Sequence, residues 1–103
     1  MHDLIHIRQA DLHRNEDRDA VLYLIDVYSR DAMGEGRPLS EATARSVIDG
    51  LRTHPAGLQF VAYADRQAAG LAVCFSGFST FAARPLINIH DLIVHPDYRR
   101  QGI

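Results

Sequence analysis

The chain has 103 residues, 47% hydrophobic and 23% charged, the balance of one small globular domain. Lys and Arg number 11 and Asp and Glu 13, a formal charge of −2, so neither nucleic acid nor an anionic membrane surface is an expected partner. No apolar run approaches the roughly 18 residues of a membrane span, Met1-His2-Asp3-Leu4 does not open a secretory signal, and the single Cys74 cannot close an internal disulfide, so a cytoplasmic setting is expected.

Leu4-Ile5-His6-Ile7-Arg8 is short and β-branched and predicts a strand. Asn15 is a candidate N-cap, with Glu16 and Asp17 where negative charge suits the helix dipole. Val21, Leu24, Ile25 and Tyr28 then share one helical face, and Gly34 and Gly36 stop the helix, predicted over Glu16 to Met33. Ser40 caps a second helix whose face is Ala44, Val47, Ile48 and Leu51, closed by His54-Pro55. Beyond it the period changes. Leu58 to Ala64 and Ala69 to about Phe81 predict two antiparallel strands about a turn at Asp65-Arg66-Gln67. Gly77 inside the second signals a bulge or a close approach. After a turn at Ala82 to Pro85, Leu86 to Val94 predicts a further strand, and His95-Pro96-Asp97-Tyr98 a turn. The order is β-α-α-β-β-β. The last strand is strongly apolar and is expected to have neighbours on both edges.

The final stretch carries the strongest functional signal. Ile89-His90-Asp91-Leu92-Ile93-Val94 runs into His95-Pro96-Asp97-Tyr98 and then into Arg99-Arg100-Gln101-Gly102-Ile103. A diphosphate needs several converging N–H donors with no side chain in the way, and a glycine-containing loop that opens a helix supplies them. The stretch resembles the acetyl-CoA-binding motif of the GNAT family of N-acetyltransferases, whose loop reads Arg/Gln-x-x-Gly-x-Gly/Ala; residues 99–103 fill its first five positions. The upstream β-α-α-β-β-β order resembles the first part of the same fold. The resemblance runs through the whole chain and corresponds to the N-terminal two-thirds of a complete member. It implies a truncated single domain over 1–103 with an α+β fold, a mixed, mainly antiparallel sheet flanked by helices. It implies acetyl-CoA as co-substrate, held by backbone groups of Leu92, Ile93 and Val94 and by the loop Arg99, Arg100, Gln101, Gly102 and Ile103.

Asp91 shares strand parity with Ile87, Ile89 and Ile93. A carboxylate in an isoleucine row is costly to bury, so it is paired, turned out of the core by a bulge, or set in a polar cleft. The family resemblance implies a bulge in this strand and, in some members, two acidic residues at the positions of His90 and Asp91 that contact the acceptor amine. Here His90 is a candidate base for the ammonium proton, with Asp91 orienting it or holding the amine. Asn88 lies near the position of a catalytic glutamate in some relatives and can hold a water or a carbonyl but not act as base. Glu35, between glycines in the loop joining the helices, is a candidate for attracting the amine. The family's usual acid is a tyrosine on a later helix, which none of Tyr23, Tyr28, Tyr63 or Tyr98 matches. His90, Asp91, His95 and Asp97 fit no metal-ligand spacing, and Cys74, between Val73 and Phe75, reads as a buried thiol.

The expectation is therefore an acetyl-CoA-dependent N-acetyltransferase acting by direct attack of a small-molecule or peptide amine, without metal. The rival is a non-catalytic CoA-binding or protein-interaction module. An exposed last strand would invite pairing with a second copy of the chain, a homodimer.

Overall fold

Short connections fix the strand order of this protein. The computed structural model describes residues 4–31 and 34–103. Strand β1 (Ile5–Gln9) leads to helices α1 (Asn15–Arg30) and α2 (Glu41–Thr53), then to strands β2 (Gly57–Ala64), β3 (Gln67–Ser79) and β4 (Arg84–Val94) and a 3-10 turn at Pro96–Tyr98. The sheet runs β1-β2-β3-β4 with every pairing antiparallel. This is the expected α+β fold and element order. Each hairpin lays a strand beside its predecessor, so β4 ends up at the edge, with β3 as its only neighbour among the described residues. The expectation of a neighbour is met on the β3 side. Pro85 sits within β4, tolerable because an edge strand can spare an N–H.

The β2–β3 turn is tighter than expected. Asp65 and Arg66 both take left-handed φ, 49° and 71°, as a two-residue hairpin turn of the primed kind requires, so Gln67 already pairs with Ala64. Gly77 pairs regularly with Leu86, without a bulge; a Cβ there would sit 3.2 Å from Asn88 Nδ2, so close approach is the reason for glycine.

In α1, Asn15 is the first helical residue and not the cap. Arg14 holds the cap position with extended φ and ψ and no side-chain bond, while the Asn15 side chain accepts from Arg18. The helix stops at Arg30, where Asp31 turns extended; the expected end at Met33 lies outside the described residues. The following loop is clasped to the last turns of α1. Ser29 Oγ donates to the Arg37 carbonyl at 2.8 Å and Leu39 N–H donates to Asp26 Oδ1 at 2.8 Å. That N–H, together with Arg30, holds the Asp26 carboxyl below the usual range. A Cβ at Gly34 would collide with the Tyr28 carbonyl. Ser40 caps α2 as expected, accepting from Thr43 N–H.

Both helices cover one sheet face. Val21 and Leu24 of α1 and Ile48 of α2 are buried against Val61, Leu71, Val73 and Ile93. Asp17 is buried at the rim of this layer. It takes Arg8 Nη2 at 2.7 Å, Asp11 N–H at 2.9 Å and Tyr63 OH at 2.8 Å, joining β1, α1 and β2. Burial alone would raise its pKa, but the Asp11 N–H, Arg8 and Tyr63 outweigh that and hold it low. Burial, then Asp17, push the Tyr63 hydroxyl up to about 12.

Candidate active site

The site grows out of one extra residue in β4. Val73 pairs with Asp91 and Cys74 with Ile89, so His90 has no partner and forms a bulge. A one-residue slip flips every later side chain to the other face. Ile93 and Asp91 point to the helix side with Leu71 and Val73, whereas Ile89 and Ile87 pass to the opposite face, 62% and 55% exposed. The isoleucine row expected around Asp91 is therefore broken, and the carboxylate does not lie among three isoleucines. Its side chain is 47% exposed, and that of His90 68%.

A cleft of about 400 Å³ opens here between the two helices and β3–β4. Ile25, Val47, Leu51 and Phe75 give it apolar walls, and His90 and Asp91 stand at one side. His90 Nε2 lies 3.8 Å from Asp91 Oδ2, beyond hydrogen-bonding distance but close enough for an ion pair if the ring is protonated. The Phe75 ring has the His54 ring edge-on at 4.9 Å and the His90 ring at 5.9 Å. His54 Nδ1 accepts from Ala56 N–H at 3.1 Å, so a neutral ring carries its proton on Nε2. His54 was visible in the sequence only as a helix stop. Its place beside Phe75 follows from the β2–β3 register, which sets Gly57 against Phe75.

Asn88, on the exposed part of β4, and Glu35 do not line this cleft. Glu35 borders a separate cavity of about 590 Å³ beside the interhelical loop and lies 3.4 Å from Arg37 Nε.

The other half of the site is the end of β4. His95 N–H donates to the Ala69 carbonyl at 2.8 Å. In an antiparallel ladder inward and outward residues alternate, so Ile93 shares that inward orientation. Leu92 and Val94 turn their backbone groups toward the free edge. The Val94 carbonyl there accepts from Arg99 Nε at 3.0 Å, and Arg99 Nη2 lies 3.7 Å from Asp31 Oδ2. Arg99 thus fastens the turn to β4 and to the end of α1. Tyr98 is buried and donates to Gln67 Oε1 at 2.8 Å. His95 Nδ1 accepts from Asp97 N–H at 3.1 Å, leaving Nε2 to meet Tyr23 OH at 3.0 Å. Gln101 Nε2 donates to the Asp97 carbonyl at 3.2 Å, and Ile103 packs with Ala64, Ala69 and Tyr98.

Arg100 and Gly102 have left-handed φ, 64° and 78°. A Cβ built on Gly102 meets nothing within 4 Å. The space above the loop is open, and Arg100 is exposed beside it. An exposed loop with free space at its glycine, next to a strand edge with outward backbone groups, fits a diphosphate and an extended arm. Among the described residues no three side chains gather as a metal site, and no helix is long and apolar enough to cross a membrane.

Comparison with known proteins bears on the fold. A ribosomal-protein-alanine N-acetyltransferase from Brucella melitensis biovar Abortus 2308 superposes with a TM-score of 0.73 at 16% identity, over 97% of this chain and 63% of that one. The aminoglycoside antibiotic 6'-N-acetyltransferase AAC(6')-Ih from Acinetobacter baumannii gives 0.66 at 19%, over 96% and 63%. AAC(6')-Iy, solved in complex with the bisubstrate analog CoA-S-monomethyl-acetylneamine, gives 0.72 at 15%, over 98% and 64%. The chain therefore spans less than two-thirds of the length of these proteins, and at such identities the likeness speaks for the fold. No curated protein matches the sequence significantly. The sequence model of the Acetyltransferase (GNAT) family matches residues 11–103, which take in both helices, the bulged strand and the glycine loop, and on that match the chain belongs to the GNAT family.

Proposed function

We propose that this protein transfers an acetyl group from acetyl-CoA to a primary amine by direct attack. The observation that carries the reading is the placement of β4. Its free edge runs from the His90–Asp91 cleft to the open loop at Gly102, so acceptor and donor sites adjoin along one strand. When bound, acetyl-CoA supplies an activated acyl carbon and a thiol leaving group.

The chain's own residues do the rest. The backbone N–H and carbonyl of Leu92 and the N–H of Val94 on that edge hold an extended arm as an added strand would be held, the Val94 carbonyl being taken by Arg99. The N–H of Leu92 is the group available there to steady a developing oxyanion. Loop amides around Gly102, with Arg100, take the diphosphate. Asp91 draws the ammonium into the cleft, and His90 removes its proton, directly or through one water, so that the free amine attacks. Neither Asn88 nor Glu35 is needed in this scheme. The single buried Cys74 supports a reducing, cytoplasmic setting.

The test uses the full-length protein with acetyl-CoA and a panel of amines, read by thiol release and product mass. Gly102→Val should weaken acetyl-CoA binding at least about tenfold, through its left-handed φ and the branched side chain over the loop. His90→Ala should lower turnover by about 10²–10⁴, and Asp91→Asn should lower it as well, both while sparing acetyl-CoA affinity. Tight acetyl-CoA binding with no amine acetylated would replace the enzyme by a non-catalytic CoA-binding module.

A further inference from the structure

We infer that the cleft beside His90 and Asp91 selects a monoamine carried on an apolar body, and that Gly50 is the residue that makes room for it. The inference rests on the acetyl-transfer reading for its chemistry but on the cleft alone for its selectivity.

Charge comes first. Asp91 is the one carboxylate among the described residues lining the cleft, and it stands at one side. One ammonium is matched there. A second positive charge on the same acceptor would lie against Ile25, Val47 or Leu51, where it would lose water and gain no counter-charge. An apolar body against those walls instead removes hydrocarbon from water. The volume of about 400 Å³ suits a small molecule. Several solved proteins of similar fold act on aminoglycosides by name, yet polycationic sugars are the acceptors this lining serves worst.

Gly50 supplies the second, independent observation. It lies in the last turn of α2, three residues before the helix ends at Thr53, where alanine would favour the helix more. Its φ is not left-handed, so no backbone strain asks for glycine, and a Cβ there would meet nothing within 4 Å. No protein neighbour forbids a side chain. Gly50 lines the cleft together with Val47 and Leu51 of the same helix. A helix-weakening residue with unobstructed space above it keeps that wall open for a ligand.

The experiment compares 2-phenylethylamine with the polycationic tobramycin on full-length protein, by ligand-detected NMR for binding and by thiol release for transfer. The wild type should bind 2-phenylethylamine and favour it over tobramycin by at least about tenfold in kcat/KM. Gly50→Leu should abolish 2-phenylethylamine binding while the melting temperature holds or rises and acetyl-CoA affinity is kept. Ser46→Asp, an exposed position on the same wall, should shift preference toward 1,4-diaminobutane relative to 2-phenylethylamine. A preference for tobramycin, no binding of 2-phenylethylamine, or its undiminished binding to Gly50→Leu would overturn the inference. Binding that is lost in Gly50→Leu but leads to no transfer would uphold the cleft and overturn the acetyl-transfer reading instead.

Discussion

Asp17 shows how much one buried side chain decides. Its carboxylate answers three donors, from β1, from the loop after it and from β2, so removing it strands Arg8, the Asp11 N–H and the Tyr63 hydroxyl together. Breaking a buried pair costs roughly 3–5 kcal/mol. Asp17→Ala should fall near the lower end, because Arg8 is 38% exposed and water reaches its guanidinium. The pH dependence follows from the two shifts. With its folded pKa below the ordinary 3.8, Asp17 contributes stability that is present above that value and lost as pH falls through the lower, folded one. Tyr63, raised from 10.0 to about 12, contributes below pH 10.0 and loses that contribution as pH climbs toward 12. Chemical denaturation across pH should show both limbs in the wild type. Asp17→Asn should flatten the acid limb and Tyr63→Phe the alkaline one; unchanged limbs in both variants would remove the network from the stability of the fold.

At the scale of an element, the bulge in β4 determines which residues face the cleft. Deleting His90 would restore strict alternation, and the hairpin would have to choose between burying Ile89 beside Asp91 and slipping its register. The expected outcome is a folded protein by far-UV circular dichroism with acetyl transfer lost, whereas His90→Ala, which keeps the residue count, should retain the cleft and lose only proton handling. Equal binding of 2-phenylethylamine by the two variants would deny the bulge any role in shaping the site. This element also marks where the sequence is legible and where it is not. The helices were readable because Val21, Leu24, Ile25 and Tyr28, and again Ala44, Val47, Ile48 and Leu51, recur at helical spacing, and the hairpins because Asp65-Arg66 and the stretch around Ala82 interrupt apolar and aromatic runs. The loop at Gly102 was readable as a contiguous motif. The bulge was not readable from local spacing, because an extra residue leaves no local mark; the conflict between Asp91 and its isoleucine neighbours hinted at it, and the family resemblance implied it. His54 and Gly50 were illegible for another reason. Their role depends on α2 packing on β2 and α1 so that its side borders the cleft, a long-range arrangement that no local spacing encodes.

Across the whole molecule the two sheet faces are unequal. One carries both helices; the other presents Ile87, Ile89 and the 70% exposed Leu92 along β4. Apolar surface beside a strand edge that has no partner among the described residues favours association. In solution this 103-residue chain should self-associate at micromolar concentration, and Ile87→Lys with Ile89→Lys should reduce that in sedimentation velocity without altering its helix content; sedimentation unaffected by the two lysines would locate the contact elsewhere. Cys74 pairs with Ile89 at the same bulge, is 2% exposed, and has a thiol pushed up by burial. As the sole cysteine it is a ready-made stopwatch for the parting of β3 from β4. Its alkylation half-time in the native protein would time how often this hairpin breathes. It also bears on assay design, because a thiol dye added to follow CoA release would record slow Cys74 labelling as a baseline drift, and a blank without amine separates the two signals.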